Sequence, residues 1–437
     1  MIRKIKSKLD VHTFEVLMKS SKTLLVRISS MILSVVISIF LGNTIGANGL
    51  GIINLVNQLM SLILVFSFLG MGQIIIKEVA IAYESNYWDK ISDIFYSAFF
   101  LNGALTFVIS VVLVLCSPWI SEFIFNQPDL TFPLCIASIV LTPQIFSRIF
   151  SSCLIGYKKI WQSQLVDQAL SVFFVTFSLL VLWFFGVEIT VNIVALIYAL
   201  GRGFVTIVIG IYWRKISKIK FTNNYIGKSL MISGLPLLIV NASLLLSQNA
   251  DMIMLGVLSN IKDVGLYSIA SKLALLTSFI LQISISTIGP KIAVLYNSGK
   301  LNELEKMVQQ VSKYLVVIGL VFLVFFITVG KNLLNFWGDE FREAYSILII
   351  LSVGQFFNIA SGPVGNILIM TNHSNIIRNI TILTVTLNMI LNYFFIINFG
   401  ANGAAIATTI TIILNMSLSY FYVSKKLKIN MINFRTK

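Results

Sequence analysis

Histidine, cysteine and acidic residues are scarce in this chain: two, three and 17 among 437 residues. His12 and His373 fall outside the apolar runs, where solvated surface residues belong. Cys116, Cys135 and Cys153 lie within apolar runs at no metal-ligand spacing and read as small packing residues. There is no GxGxxG, no P-loop and no HExxH. Nothing points to a cofactor, a metal centre or a catalytic group, so an enzyme is not expected. Charged residues make up 11% of the chain and hydrophobic ones 57%, with a mean hydropathy of +0.91. The longest polar gap is about 25 residues, too short for a soluble domain.

What is present is a series of long apolar runs. A hydrocarbon core of about 30 Å takes about 20 apolar residues per helix. The sequence predicts twelve such spans: 24–42, 52–72, 94–116, 131–155, 161–184, 190–212, 229–257, 264–288, 314–333, 345–369, 376–397 and 401–423. With Lys331 and Arg378, which lie at the very ends of their spans, counted in the adjoining gaps, 25 of the 32 Lys and Arg residues fall in alternate gaps, and only Lys262, Lys331 and Arg342 in the others. Short loops rich in Lys and Arg stay in the cytoplasm, so the chain is expected in a bacterial inner membrane with both termini on the cytoplasmic side. The net charge of +15 therefore reflects topology and gives no reason to expect nucleic-acid binding. Asp10 and Glu15 interrupt the basic N-terminus and no small-residue cleavage site follows, so no cleaved signal is expected.

The chain also repeats itself at an offset of 214. Leu41-Gly42 matches Leu255-Gly256, Gly51 matches Gly265, Leu59 matches Leu273, Lys77 matches Lys291 and Phe185-Gly186 matches Phe399-Gly400. An offset of six spans makes the halves parallel repeats, 1–213 and 214–437, joined through the basic gap 213–228. Substrate sites in such folds are expected between the halves near the midplane. Two amphipathic stretches, 300–313 and 9–18, read as interfacial helices that anchor the bundle.

Ionisable groups inside the membrane are costly and mark function or pairing. Six are expected there: Arg27, Arg148, Asp167, Arg202, Asp251 and Lys272. Arg148 and Asp167 lie at similar depth on either side of the turn at Gly156–Lys159, and Asp251 and Lys272 on either side of the turn near Ser259. Each couple is a structural ion pair or part of a site. Arg27 lies near the inner end of its span and either snorkels or faces cargo. Arg202 is mid-span between Gly201 and Gly203, with no acid at matching depth on the helix joined to it. A planar fork of donors there suits phosphate oxygens. Polar stripes at Asn54, Asn57, Gln58 and Ser61, at Asn241, Gln248 and Asp251, and at Ser268, Lys272 and Gln282 predict a wet interior. Pro143, Pro236 and Pro363 are expected to kink their helices.

The LGNTIGANGLGIINLVNQL stretch, the VGLYSIASKL stretch with Asp251 upstream and the LIGYKK turn resemble the polysaccharide or O-antigen flippases. These belong to the multidrug/oligosaccharidyl-lipid/polysaccharide exporter superfamily. The resemblance implies an all-α polytopic membrane protein with twelve helices in two six-helix lobes forming a V. It implies transfer of a polyprenyl-pyrophosphate-linked oligosaccharide to the outer leaflet by alternating access, next to polysaccharide polymerase machinery. Cationic cavity residues of that family correspond to Arg27, Arg148, Arg202 and Lys272 here, and Asp251 is the candidate for ion coupling. The twelve spans set the chain apart from the fourteen-helix lipid II flippases. A cation-coupled multidrug exporter is the first alternative, although it would favour an acidic cavity. A polymerase or glycosyltransferase is less favoured, because it needs larger outer loops. Reporter fusions after Lys220 and after Asn126 are expected to read inside and outside respectively; either reversed would end the twelve-span topology.

Overall fold

The computed structural model describes residues 11–222 and 224–428, without side chains at 11–22, 24, 168, 240, 244, 247 and 248. Among the described residues every regular element is helical. In chain order these are α1 (Val11–Ser67), α2 (Met71–Glu84), α3 (Trp88–Trp119), α4 (Thr131–Ile139), α5 (Leu141–Gly156), α6 (Ile160–Gln164), α7 (Leu170–Phe184) and α8 (Val191–Ile216). They are followed by α9 (Gly227–Leu258), α10 (Ile261–Asn297), α11 (Leu301–Leu334), α12 (Tyr345–Ala360), α13 (Val364–Met370) and α14 (Ser374–Leu427). Two π-helical turns, Ile120–Ile124 and Leu165–Ala169, continue α3 and join α6 to α7. The side-chain reading of 9–18 lies outside the described residues.

Eight of the described helices are long and apolar enough to cross a membrane, or nine if the bent pair Pro128–Ile139 and Leu141–Gly156 is one span. The chain is a multi-pass membrane protein. Its outward-facing surface agrees: Leu115, Phe177, Phe184 and Phe204 are exposed, which a water-soluble surface would avoid at this density. The 57-residue α1 and the 54-residue α14 are each about 80 Å along the axis, well beyond one crossing. Each is divided by a glycine with positive φ, Gly46 (φ 70°) and Gly400 (φ 53°), in the same tetrapeptide GANG. The N–H after each glycine is taken by an acid: Ala47 donates to Glu340 Oε1 at 2.6 Å, and Ala401 to Asp263 Oδ2 at 3.2 Å. The second half of each long helix therefore starts with a capped N-terminus, where a carboxylate is favoured.

Proline breaks helices at two of the three expected places. The 43° bend between α4 and α5 falls just before Pro143, whose ring removes the hydrogen bond to the carbonyl four residues back. The break between α12 and α13 uses Gly362 (φ 67°) and Pro363. Pro236 sits within a continuous α9.

The helices form two compact units. Unit 1 comprises Met1–Ile45 and Leu55–Gln248, and unit 2 comprises Gly46–Asn54 and Asn249–Lys437. In unit 1, α5 packs on α2, α3 and α8, and α7 packs on α8. A small residue at Gly156 lets α5 approach Val79 and Ala80. The basic segment after α8 runs along the start of α3: Thr222 and Asn224 both donate to Asp93 at 2.7 Å, and Ile226 N donates to Ser97 Oγ at 2.8 Å. Close by, α9 crosses the gap between α1 and α2, where Gly234 lies against the backbone of Leu69 and Gly70.

In unit 2, α12 is the central helix, packed by α10, α11 and α14. The segment Gly46–Asn54 lies against the first turns of α10 in a reciprocal arrangement. Gly51 meets the carbonyl of Ile261 and Gly265 meets the carbonyl of Ala47, while Asn54 Nδ2 donates to Ser268 Oγ at 2.9 Å. Each contact maps onto another, or onto itself, by the offset of 214 that relates the sequence repeats. Gly186 and Gly400, matched at the same offset, likewise share positive φ. Because a methyl at Gly265 would collide with backbone, Gly265→Ala is expected to lower the unfolding midpoint in detergent, over-packing of this kind costing about 1–3 kcal/mol. Gly203→Ala, whose Cβ would meet nothing within 4 Å, should leave it unchanged or raise it. Equal midpoints for Gly265→Ala and the parent chain would contradict the close contact.

Candidate functional site

One face of α5 carries Gln144, Ser147, Arg148, Ser151, Ser152 and Ile155, spaced i, i+3, i+4, i+7, i+8 and i+11. That spacing lines up side chains on a single stripe of a helix. The stripe forms one wall of a cavity of about 610 Å³ that lies wholly in unit 1. Arg202 enters from α8, Asp167 from the π turn, Gln73 from α2, Ser61 from α1 and Asn241 from α9. Of the four cations expected to contact cargo, the structure brings Arg148 and Arg202 to one cavity. Arg27 and Lys272 are exposed and are not among its lining.

The two glycines beside Arg202 have different roles. Gly201 is buried and close to α7, where a Cβ would lie 3.2 Å from Phe174 and 3.4 Å from Ser171 Oγ. Gly203 faces open space. One turn on, Thr206 Oγ1 donates to the carbonyl of Pro143 at 2.8 Å and ties α8 to α5. The bend at Pro143 and this tie together set how Arg202 faces Arg148.

Asp167 does not pair directly with Arg148. Its Oδ2 accepts a 2.5 Å hydrogen bond from Ser151 Oγ, and Ser151 is 2.6 Å from Ser163 Oγ. A hydroxyl has one proton, so with Ser151 donating to the carboxylate, Ser163 donates to Ser151. Among the described residues neither guanidinium lies within 4.0 Å of a carboxylate oxygen or makes a hydrogen bond. Of the two readings left open for Arg148 and Asp167, an ion pair or part of one site, the structure gives no direct pair and a shared cavity. The sequence offered Arg202 no acid at matching depth on the helix joined to it, yet an acid from that segment reaches the same cavity. Asp167 lines the cavity with it, because the π turn changes the register along that segment.

The second expected pair, Asp251–Lys272, is also absent. Asp251 is 8% exposed, and Tyr267 Oη, Thr408 Oγ1 and Asn392 Nδ2 each donate to it at 2.6 Å. Asn392 Nδ2 also reaches Asn388 Oδ1 at 3.0 Å, while Asn392 Oδ1 is buried with no partner among the described residues. Charge-assisted donors of this kind satisfy a buried carboxylate without a cation. Lys272 makes no ion pair or hydrogen bond among the described residues. The polar stripes are distributed accordingly. Ser61 and Asn241 line the cavity, and Asn54 and Ser268 bond to each other. The side chain of Gln248 lies outside the described residues. No group of three or more His, Cys, Asp or Glu residues is placed to hold a metal among the described residues.

Residues 16–295, well over half of the chain, match the family described as polysaccharide biosynthesis protein. The chain belongs to that family. Residues 236–394 also match the MatE family. Among individual relatives, "Probable low-salt glycan biosynthesis flippase Agl15" of Haloferax volcanii is 25% identical over 159 residues, covering 36% of this chain and 34% of Agl15. The "Capsular polysaccharide biosynthesis protein CapF" of Staphylococcus aureus is 25% identical over 194 residues, covering 44% of this chain and 49% of CapF. The chain thus aligns with about a third and a half of those two relatives. The "Uncharacterized membrane protein MJ1068" of Methanocaldococcus jannaschii is 25% identical over 423 residues, 91% of this chain and 82% of that protein.

Solved structures share the fold. The lipid II flippase MurJ in an inward closed conformation aligns with a TM-score of 0.74 at 15% identity, over 93% of this chain and 87% of MurJ. An inward-facing multidrug resistance MATE family transporter aligns with a TM-score of 0.72 at 13% identity, over 92% and 98%. The fold of this polysaccharide biosynthesis family member is therefore shared with both flippases and drug transporters. The likeness to MurJ extends further than the span count alone predicts.

Within this family member, Tyr267, Asn392 and Thr408 were not marked by the sequence pattern, although Tyr267 lies in the VGLYSIASKL stretch. Because Asp251 is satisfied by these three donors, the swap Asp251→Lys with Lys272→Asp is expected to lower membrane protein level as much as Asp251→Lys alone. Lys272→Ala should leave the level unchanged. Recovery of protein level by the swap would reinstate the ion pair.

Proposed function

We propose that this polysaccharide biosynthesis family member is a lipid-linked glycan flippase. It moves polyprenyl-pyrophosphate-linked repeat units from the inner to the outer leaflet of a bacterial inner membrane by alternating access. The layout belonging to this reading is twelve spans in two six-helix lobes, with both termini cytoplasmic. The observation that carries it is the pair of guanidiniums, Arg148 and Arg202, facing one polar cavity without a bound carboxylate. A permanent charge at mid-membrane costs about 2.5–3.5 kcal/mol on insertion scales. Two such charges left unpaired by the protein call for an anionic cargo, and a pyrophosphate offers oxygens to both forks. The names of Agl15 and CapF support a glycan as the rest of that cargo. Arg27 and Lys272, exposed elsewhere on the chain, are secondary contacts for the charged headgroup in this reading. The polymerase that uses the transferred unit is the partner expected nearby.

Asp251 is the residue we assign to ion coupling. Its cluster is rich in oxygen, and the buried Asn392 Oδ1 has no donor among the described residues, as suits a site that takes up a cation or a proton. The multidrug-exporter reading rests on the MatE match at 236–394. It is disfavoured by the cationic wall of the unit 1 cavity, which repels a cationic drug.

The deciding experiment is surface polysaccharide in a flippase-deleted host at matched membrane protein level. Arg202→Ala should insert and fold but lose surface glycan, and Arg202→Lys should recover it only in part, since an ammonium keeps the charge and loses the planar fork. Full surface glycan from Arg202→Ala would sink the assignment.

A further inference from the structure

At one end of unit 1, where α2, α5 and α8 stop and α3 starts, basic residues outnumber the acids that could answer them. Four aromatic rings, one from each of these helix ends, form a knot there. Ring centroids lie 4.5 Å apart for Tyr83 and Tyr157, 4.9 Å for Tyr157 and Trp213, and 5.8 Å for Tyr83 and Trp88. Tyr157 and Trp213 are 4% and 2% exposed, so the knot is closed. Around it stand Lys158 and Lys159 after α5, Arg214 and Lys215 in the last turn of α8, and Lys218 and Lys220 beyond it. Lys218 Nζ lies 5.1 Å from the Trp88 ring, and Lys159 Nζ donates to Tyr212 Oη at 3.3 Å. The acids of this end are engaged elsewhere: Glu84 pairs with Lys158, Glu78 with Lys90, and Asp93 accepts from Thr222 and Asn224. Asp89 forms no ion pair among the described residues, and neither do Lys159, Arg214, Lys215, Lys218 and Lys220.

The cations are presented in fixed places. Beyond α8 the backbone N–H of Lys220 donates to Ser92 Oγ at 3.2 Å, and the Phe221 ring lies 5.2 Å from that of Tyr96, so Lys218 and Lys220 are held along α3. α3 and α8 belong to the apolar stretches Trp88–Ile124 and Val191–Ile216, so these helix ends are span ends. Ile160, Ile211 and Phe221 are exposed among the lysines. Apolar and basic side chains at one level mark the boundary between acyl chains and headgroups. Five cations without an acid, set around a closed aromatic floor, make a surface and not a pocket. Such a surface suits headgroups that arrive in number more than it suits one diphosphate. We propose that this end of unit 1 binds the phosphate headgroups of anionic phospholipids in the adjoining leaflet. Basic clusters of this size beside a span attract anionic lipid, each cation contributing about fivefold in affinity. The bound lipids anchor the connection between the two sequence repeats, on which Lys218 and Lys220 lie. The inference takes from the proposed function only that this end faces the cytoplasm, and it is independent of the pyrophosphate reading.

The test uses the purified full chain in micelles of an uncharged detergent and follows its unfolding midpoint as phosphatidylglycerol or phosphatidylcholine is titrated in. Phosphatidylglycerol should raise the midpoint of the parent chain and phosphatidylcholine should not, and high salt should remove the rise. Lys215→Gln, Lys218→Gln and Lys220→Gln combined should need roughly tenfold more phosphatidylglycerol, or beyond, for the same rise. Lys215→Arg, Lys218→Arg and Lys220→Arg combined should respond as the parent does. Lys425→Gln, Lys426→Gln and Lys428→Gln combined remove equal charge from unit 2 and should also leave the response intact. Equal loss in both glutamine triples makes net charge the cause and overturns the site. A parent chain indifferent to phosphatidylglycerol overturns it too, as does one that responds only to a polyprenyl diphosphate, which would make the patch a cargo contact. Should the first triple fold poorly, Lys159→Gln with Arg214→Gln reads the same surface from the helix ends; a parent-like response there overturns the proposal. Micelles have no leaflets, so an error in sidedness would leave these results standing and appear in the reporter fusion after Lys220. Arg202→Ala should keep the lipid response, which separates this surface from the cavity.

Discussion

A guanidinium cannot shed its charge in a protein, and in hydrocarbon that single fact dictates what surrounds it. A carboxylate or an amine at mid-membrane can neutralise by proton transfer, but an arginine must find water, an anion or a wall of dipoles. Around Arg148 and Arg202 the chain supplies the dipoles of Gln73, Gln144, Ser147, Ser152 and Asn241. The helices that carry the two arginines are tied by Thr206 and the carbonyl of Pro143, so the position of the charges is set by a bend in the backbone. Small residues let the other helices of the unit approach one another closely. Gly201 brings α7 against α8, Gly156 brings α2 against α5, and α9 crosses at Gly70 and Gly234. Unit 2 handles its own buried charge by the opposite route, surrounding Asp251 with neutral donors and leaving it 8% exposed.

The helical, multi-pass character was legible in the sequence because hydropathy is an additive property that survives uncertainty at any one residue. Two proline breaks were legible for the same reason: the missing N–H at Pro143 and Pro363 acts locally. Pro236 shows the limit, since the helix runs on across it despite the missing N–H. The divisions of α1 and α14 were half legible. Spans 1 and 2 were separated on length, yet the means, Gly46 and Gly400 with acids from α10 and the 339–344 turn capping the next N–H, depends on residues more than 130 positions away.

The candidate site was legible as charge and illegible as geometry. Counting residues from the turn at Gly156 put Arg148 and Asp167 at one depth, and they do share a cavity. What counting could not give was the choice made by Asp167 between an arginine and a serine, because serines are common on these helices and one more carries no signal. The π turn is invisible for a related reason: one extra residue in a helical turn leaves composition unchanged while moving a side chain to another face. At Asp251 the argument from depth named Lys272, four residues to one side of Ser268, while the actual donor Tyr267 lies beside it on the neighbouring face. Equal depth is necessary for a pair, and facing is what decides it.

The reciprocal contact between Gly46–Asn54 and the start of α10 has a meaning beyond packing. Residues joined by the offset of 214 meet there as counterparts, and Asn54 bonds to the residue that is its own match, Ser268. A two-fold interface between identical subunits has this property: on the axis, each residue faces itself. Two copies of one side chain on an axis must share one hydrogen bond ambiguously, each able to donate or accept. Here the two matched positions hold different side chains, so the ambiguity is gone: an amide donates on one side, a hydroxyl accepts on the other, and a contact laid out as if symmetric has a direction.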